Sequence, residues 1–212
     1  MHETDTADMP SPLAAARVPL AVCGLPFIAD SSGALYWHAE RTLLVADLHL
    51  EKGSAHAERG ALLPPYDTRE TLIRLAEAVD RYDPARVIAL GDSFQDAQAA
   101  RRIGADDLEM LATLQAKRDW IWIAGNHDPQ IAERAGGRVC ASVRLAGLTL
   151  RHQPVAGGVT HEIAGHLHPA AKLSRYGTTI RRPCFVGNGG MGVWMLGQDG
   201  LYPVAARLLS AD

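Results

Sequence analysis

The feature that most constrains this chain is a series of short apolar runs, each followed directly by a small polar cluster. The runs read as buried strands and span residues 43–46, 87–90 and 121–124. The clusters that follow them, together with two later ones, are Asp47-Leu48-His49, Gly91-Asp92, Gly125-Asn126-His127-Asp128, Arg151-His152 and Gly165-His166-Leu167-His168. Strand ends are therefore predicted to bring carboxylates, imidazoles and an amide to one place. Oxygen and nitrogen ligands without a thiolate suit two divalent metal ions.

The polar clusters lie within an alternation of strands and helices. We predict N-terminal strands at residues 20–23, 34–38 and 42–46, then a helix at 67–82, a strand at 86–90, a helix at 105–117 and a strand at 120–124. Asp67 and Glu70 have the spacing of a capping box at the start of the first helix. After Gly136-Gly137, short strands separated by glycines favour a mostly antiparallel sheet. The sequence thus predicts an α/β protein.

Length and composition narrow the class of protein. The chain has 212 residues and no linker through the polar clusters, so we predict one domain at residues 18–212 after a disordered tail at 1–17. With 47% hydrophobic and 21% charged residues, and no apolar run near the ~20 residues of a membrane helix, the composition is that of a globular protein. The tail does not read as a signal peptide, and the three cysteines have no paired spacing, so a cytoplasmic location is predicted.

Together, the five clusters resemble the motifs of the calcineurin-like metallophosphoesterases over about residues 47–168. This resemblance implies a four-layer sandwich of two mixed β-sheets flanked by helices. It also implies that Asp92 bridges two metals, that Asp47, His49 and His168 complete one metal, and that Asn126, His152 and His166 complete the other. Residues two apart in an extended chain point the same way, which would let His166 and His168 reach neighbouring ions.

The same resemblance implies hydrolysis of a phosphate ester by a hydroxide that bridges the two metals. His127 is not one of the implied ligands and would act as the general acid that protonates the leaving oxygen. The implied ligands fit manganese, and zinc or iron can occupy the same donors. Asp128 precedes Pro129, and we interpret it as the N-cap of a short helix rather than as a catalytic group.

More particular segments resemble the bacterial ligase-associated DNA-damage-response phosphoesterases. They include residues 45–52, Arg59-Gly60, residues 63–65, residues 165–169 and residues 181–186. The resemblance implies a manganese-dependent phosphodiesterase and endonuclease that acts on DNA, with ligase, exonuclease and helicase partners. Glu51 stands where that branch usually has glycine, and Gln95 stands where related nucleases often have a histidine that supports the catalytic one. Lys52 is a candidate phosphate contact, and a solvated surface lysine is the equal alternative.

Two other functions are open at this point. The formal net charge of −3 gives no global attraction for nucleic acid, which favours a small-molecule phosphoesterase for nucleotides or cyclic nucleotides. Binding of DNA would have to come from local basic patches, and the candidates are Arg101-Arg102, Arg144 with Arg151, and Arg175 with Arg181-Arg182. A noncatalytic scaffold is disfavoured, because buried carboxylates and imidazoles without metals are costly.

Overall fold

The computed structural model describes residues 16–60, 66–131, 133–155, 161–175, 178–187, 192–196, 201–204 and 209–210. Within these residues, strands form three sheets, and the α-helices all precede the second and third sheets along the chain. The described part of the chain contains no helix that is both long and apolar enough to cross a membrane. The predicted tail lies outside the described residues except at its end, where Arg17 begins the first strand.

The largest sheet has seven strands in sequence order. They are β1 (Arg17–Val22), β2 (Leu25–Asp30), β3 (Leu35–Trp37), β4 (Thr42–Val45), β5 (Arg86–Ala89), β6 (Asp119–Ile123) and β7 (Arg138–Cys140). Strands β1 to β4 pair antiparallel, whereas β4 to β7 pair parallel. The parallel arrangement places the carboxyl ends of β4, β5 and β6 at one edge of the sheet. Ligands of open α/β sheets bind at such an edge.

Strand β2 lies where the sequence pattern predicts no strand. Pro26 lacks the N–H that a sheet interior uses, which argues against a strand at this position. It is accommodated because β3 pairs only with Ile28 and Ala29, further along β2. Cys23 and Gly24 both have positive φ, at 53° and 78°, and form the two-residue hairpin turn that joins β1 to β2.

The helices are α1 (Lys52–Glu58), α2 (Asp67–Tyr82), α3 (Ala99–Arg102) and α4 (Ala105–Gln115). Helix α2 has the predicted bounds, and α4 ends two residues before the predicted end. The predicted capping box at the start of α2 is not formed, so that prediction is wrong. Tyr66 is the N-cap residue and makes no side-chain cap bond, while the Asp67 carboxylate accepts a hydrogen bond from the Gly53 backbone N–H at 3.0 Å. Asp67 therefore ties α2 to α1 instead of capping its own helix.

The two later sheets confirm the predicted change of pattern after residue 137. One contains β8 (Ser142–Leu145), β9 (Leu148–Arg151) and β10 (Glu162–Ala164) in the order β10-β9-β8. The other contains β11 (Ala170–Arg175), β12 (Thr178–Gly187), β13 (Gly192–Leu196), β14 (Leu201–Val204) and β15 (Leu209–Ser210) in the order β14-β13-β12-β11-β15. Pairing is antiparallel except between β9 and β10.

The parallel strands of the large sheet are buried on both faces, which explains their uninterrupted apolar sequences. Alternate residues of these strands, such as Leu43 and Trp122, belong to a cluster with residues of α2 and α4. The residues between them, such as Ile88, pack on the opposite face against Leu148 and Leu150 of β9. This layering of helices, large sheet and second sheet confirms the predicted mixed α/β architecture.

Candidate metal centre

The loops that follow β4 and β5 run side by side and are held by backbone hydrogen bonds. The N–H of Asp47 donates to the Gly91 carbonyl at 3.2 Å, and the N–H of His49 donates to the Asp92 carbonyl at 3.0 Å. The N–H of Leu50 then donates to the Ser93 carbonyl at 2.9 Å. These three successive backbone hydrogen bonds fix the relative positions of Asp47, His49 and Asp92 without any contribution from side chains.

The backbone of the site is strained at the residues that carry the chemistry. Asp47, His49, Asp92, His166 and His168 have φ values of 51°, 44°, 47°, 69° and 41°, in the left-handed region that side chains rarely adopt. Such strain persists only where surrounding structure enforces it, and it concentrates at functional sites. The segment with His166 and His168 is therefore bent rather than extended, and the predicted alternation is wrong for it. The two histidines nonetheless face different parts of the site.

The first cluster contains Asp47, His49, Asp92 and His168, with one ligand atom from each lying within 4.8 Å of the others. The Nε2 atoms of His49 and His168 are 3.4 Å apart, and His168 Nε2 lies 3.7 Å from Asp47 Oδ1. Burial, together with the neighbouring charges of His168 and His127, lowers the pKa of His49 to about 4. His49 is thus neutral at pH 7, which is the form that binds a metal.

The second cluster contains Asp92, His152 and His166, again within 4.8 Å. His152 Nδ1 donates to the Leu90 carbonyl at 2.9 Å, so Nε2 is the ring nitrogen that faces the site. Three further atoms surround that Nε2: Asn126 Oδ1 at 2.8 Å, His166 Nδ1 at 3.2 Å and Asp92 Oδ2 at 3.3 Å. Convergence of acceptor atoms on one point fits a bound cation, and a second hydrogen bond held from behind is usual for a metal-binding histidine.

The two clusters share Asp92 and otherwise contain the residues that the resemblance divides between two metals. Asn126, which is not a carboxylate or imidazole, joins the second cluster through His152. Burial raises the pKa of Asp47, and the nearby Asp92 charge acts in the same direction. Carboxylates crowded in this way favour a cation between them, because otherwise their charges repel each other without compensation.

Two glycines allow this crowding. A Cβ at Gly91, which has φ of 86°, would collide with the His152 ring. A Cβ at Gly125 would collide with Asp92 and would lie 2.6 Å from Asp128 Oδ1. The glycines that precede Asp92 and Asn126 in the sequence are thus required by the close approach of other ligand-bearing loops.

Asp128 joins two loops of the site, and its predicted N-cap role is wrong. No helix begins at Pro129 in the described residues, and Asp128 is 1% exposed. Its carboxylate accepts hydrogen bonds from the Gly125 and Phe94 backbone N–H groups, both at 3.0 Å. The loop that carries Asn126 is thereby fixed to the loop that carries Asp92. The sequence contains no local signal for this contact, because Asp128 and Phe94 are 34 residues apart.

His127 is exposed beside the shared carboxylate. Its backbone N–H donates to Asp92 Oδ1 at 3.0 Å, and its Nδ1 donates to the Gln95 backbone carbonyl at 3.0 Å. The ring packs edge-on against His49, with 5.3 Å between centroids. The predicted supporting residue Gln95 therefore holds His127 through its main chain, while its side-chain Oε1 is buried without a hydrogen-bond partner.

A cleft of about 510 Å³ opens beside the first cluster. Its walls are formed by Asp47, Leu48, His49, Lys52, Asp67, Thr71, Gln95 and His168. Lys52, the predicted substrate contact, is exposed in this cleft. Glu51 does not join either cluster. Its carboxylate accepts a hydrogen bond from the Thr68 hydroxyl at 3.0 Å, and its φ of 67° shows why glycine suits this position.

A mixed sheet with two adjoining carboxylate and histidine clusters at the carboxyl edge defines a class of hydrolases that act through paired divalent metals. Residues 40–152, more than half of the chain, match the family model for the calcineurin-like phosphoesterases. The chain belongs to that family and is a metal-dependent phosphoesterase.

The crystal structure of the nuclease MPE from Pseudomonas putida is similar to this chain. The TM-score is 0.68 at 25% sequence identity, and the similarity covers 89% of this chain and 100% of the other. No protein with a curated function matches the sequence.

Proposed function

We propose that the protein is a two-metal phosphodiesterase that cleaves DNA, with His127 as the general acid. The observation that carries this proposal is the position of Asp92. Its carboxylate belongs to both metal-binding clusters and also accepts the backbone hydrogen bond of His127. One side chain thus sets the geometry of both candidate metals and of the candidate acid.

The residues of the two clusters, together with Asn126, would hold the metals as the family resemblance implies. Asp47, His49 and His168 would bind one ion, Asn126, His152 and His166 the other, and Asp92 both. When bound, two divalent ions neutralise phosphate charge and make a water molecule acidic enough to supply a nucleophile near neutral pH. Manganese is our proposed metal because aspartate oxygens and imidazoles suit it.

His127 is oriented so that its Nε2 atom would donate a proton to the leaving oxygen. A carbonyl oxygen can only accept, so the bond from His127 Nδ1 to Gln95 fixes the proton on Nδ1 and leaves Nε2 for the substrate. Protonated at Nε2, the exposed imidazole would donate to the oxygen that leaves phosphorus. The backbone carbonyl of Gln95 serves as the orienting partner where related nucleases use a histidine.

The cleft beside the first cluster is the proposed substrate-binding site. Lys52 offers a cation for a phosphate oxygen. Similarity to a nuclease supports a nucleic acid as the substrate. The branch resemblance supports DNA and a repair role, with ligase, exonuclease and helicase partners in the cytoplasm.

A small-molecule phosphoesterase is the second candidate, and one observation favours it. Asp67 lies in the same cleft as Lys52, so the wall beyond the metals offers little net positive charge to a polyanion. A nucleotide with a single phosphate group would lose less from this arrangement than a DNA strand.

A panel of three substrates distinguishes the candidates. Manganese-loaded protein is assayed on p-nitrophenyl phosphate, on bis(p-nitrophenyl) phosphate and on a single-stranded oligonucleotide, with chelated protein as the control. We expect turnover of the diester and of the oligonucleotide, and none after chelation. Strong monoester hydrolysis without diester turnover would support the small-molecule function instead.

A further inference from the structure

The charge of the chain is unevenly distributed around the candidate metal centre. The sequence contains no acidic residue between Glu162 and Asp199, although 24 acidic residues occur in the chain as a whole. The same interval contains Lys172, Arg175, Arg181 and Arg182. A chain with net charge −3 thus has a wholly basic segment directly after the histidines of the first and second clusters.

The structure places two of these cations face to face. In the antiparallel register of β11 and β12, Lys172 is the direct partner of Arg181. Directly opposed residues project from the same face of a sheet, so both charges lie on one face. Both residues are exposed.

This cationic pair follows the candidate metal centre closely along the chain. Strand β11 begins at Ala170, two residues after His168, and Lys172 follows His168 by four residues. Four residues of extended chain span at most about 13 Å, which sets an upper limit on the distance between the Lys172 and His168 backbones. Arg182 extends the basic surface on β12, where its Nη1 donates to the Arg181 carbonyl at 3.2 Å.

We propose that Lys172 and Arg181 bind the phosphate backbone of a single-stranded nucleic acid whose scissile phosphate lies at the metal centre. The inference rests on the proposed function and extends it, because it assigns a binding surface outside the cleft. The cleft contributes one lysine opposed by Asp67, whereas the β11–β12 surface is free of acidic residues in sequence. A strand of nucleic acid therefore gains its ionic contacts beyond the cleft, where a single nucleotide does not reach.

The test is the binding of a fluorescent 20-nucleotide oligothymidylate, measured by anisotropy between 0.05 and 1 M salt, on manganese-loaded and on chelated protein. Binding to a single strand falls with salt by a slope of about −0.7 per phosphate contact, so each lost contact raises Kd about 5-fold at 0.1 M salt. We expect Lys172→Gln with Arg181→Gln to raise Kd about 25-fold and to reduce the slope by about 1.4. The charge-preserving pair Lys172→Arg with Arg181→Lys should restore both values.

Lys117→Gln is the matched control. Lys117 is exposed between α4 and β6, at the amino end of the parallel strands and thus opposite the metal centre. We expect its Kd and salt slope to equal those of the parent protein. An unchanged salt slope in the double variant would overturn the proposal, and so would a loss of affinity in Lys117→Gln equal to that in the double variant. Phosphatidylglycerol vesicles that compete for the protein as effectively as the oligonucleotide itself would also overturn it.

Failure of the proposed function would look different. If the parent protein binds the oligonucleotide through these residues but does not cleave it, the proposed binding surface is confirmed and the proposed nuclease activity is wrong. If the oligonucleotide is cleaved and the double variant binds it as the parent does, the nuclease activity stands and the surface is wrong.

Discussion

The two halves of the candidate metal centre are built in different ways. The loops after β4, β5 and β6 carry Asp47, His49, Asp92 and Asn126, and backbone hydrogen bonds and Asp128 join these loops to each other. The later sheets contribute His152, His166 and His168, which contact the first half through His152 Nδ1 to Leu90 and the His166 N–H to Asp47. The first half thus lies at one edge of a single, hydrogen-bonded sheet, and the second half is docked onto it.

The residues proposed for catalysis therefore lie in one half, whereas completion of the metal sites depends on how the two halves pack. The shared carboxylate and the candidate acid both belong to the first half, so their relative position does not depend on how the second sheet packs. Three of the seven candidate ligands, by contrast, are imidazoles of the docked half, so both ligand sets are complete only when that half is in place. Substitutions in the two halves should therefore fail in different ways.

The largest effect is expected for Asp92→Asn. The change removes the charge shared by both clusters, and because metals stabilise the transition state by several kcal/mol, turnover of bis(p-nitrophenyl) phosphate should fall to background. Metal content measured by plasma emission should also fall, with the far-ultraviolet circular dichroism unchanged. The exposed Asp106→Asn is the control and should behave as the parent does. Retained turnover in Asp92→Asn would refute the two-metal site.

His127→Ala should separate substrates by their leaving group. A nucleoside alkoxide needs a proton in order to leave and a nitrophenolate does not, so cleavage of an oligonucleotide should fall by about 10²–10⁴-fold and hydrolysis of a nitrophenyl diester far less. Metal content should stay constant, because His127 is not among the proposed ligands. His38→Ala controls for the substitution, because this exposed histidine lies beside the amino end of β4, at the edge of the sheet opposite the clusters. Equal losses on both substrates would mean that His127 acts by charge or position.

Leu150→Ala and Leu111→Ala compare the docked half with the opposite face of the sheet. Both leucines are fully buried, at 0% and 1% exposure, and each change should lower the free energy of unfolding by about 3 kcal/mol. Only Leu150 lies two residues before His152, so only Leu150→Ala should also weaken manganese binding. Urea unfolding of chelated protein measures the first quantity, and manganese titration measures the second. Equal metal affinity in the two variants would contradict the distinction between the halves.

The smallest effect is expected for Asp30→Asn, which lies in the large sheet outside the site. Burial alone would raise the pKa of Asp30, but hydrogen bonds from Ser32 and Tyr82 and the charge of Arg81 outweigh it, and the pKa is lowered. A lowered pKa in the folded state adds stability above the unfolded value near 3.9, and this stability is lost as the pH falls through the folded value.

The unfolding free energy of Asp30→Asn should therefore lie about 2 kcal/mol below that of the parent at pH 7, and the gap should close toward pH 2. Urea unfolding of chelated protein across this range measures the gap. A gap that is constant with pH would show that the Asp30 charge does not stabilise the fold.

The sequence alone predicted the features that depend on local patterns. Apolar runs between polar residues identified β4, β5 and β6, and helical spacing identified α2 with its observed bounds. The polar residues at the ends of β4, β5 and β6 followed from the same logic, because parallel strands end at one edge of a sheet. The division of the ligands between two metals, and the role of the later histidines, came from the family resemblance. Strand β2 was not predicted, because Pro26 weakens the local strand pattern. The tertiary structure accommodates Pro26 within the strand.

Only the tertiary structure decided which partners the polar side chains find. Asp67 and Asp128 both look like helix caps in the sequence, yet they bond to Gly53 and Phe94, which local spacing does not predict. The left-handed backbone at His166 likewise accompanies a hydrogen bond from the His166 N–H to Asp47, across 119 residues. Hydrogen bonds over such separations form because the packed layers bring the groups together, and no repeat in the sequence encodes that distance.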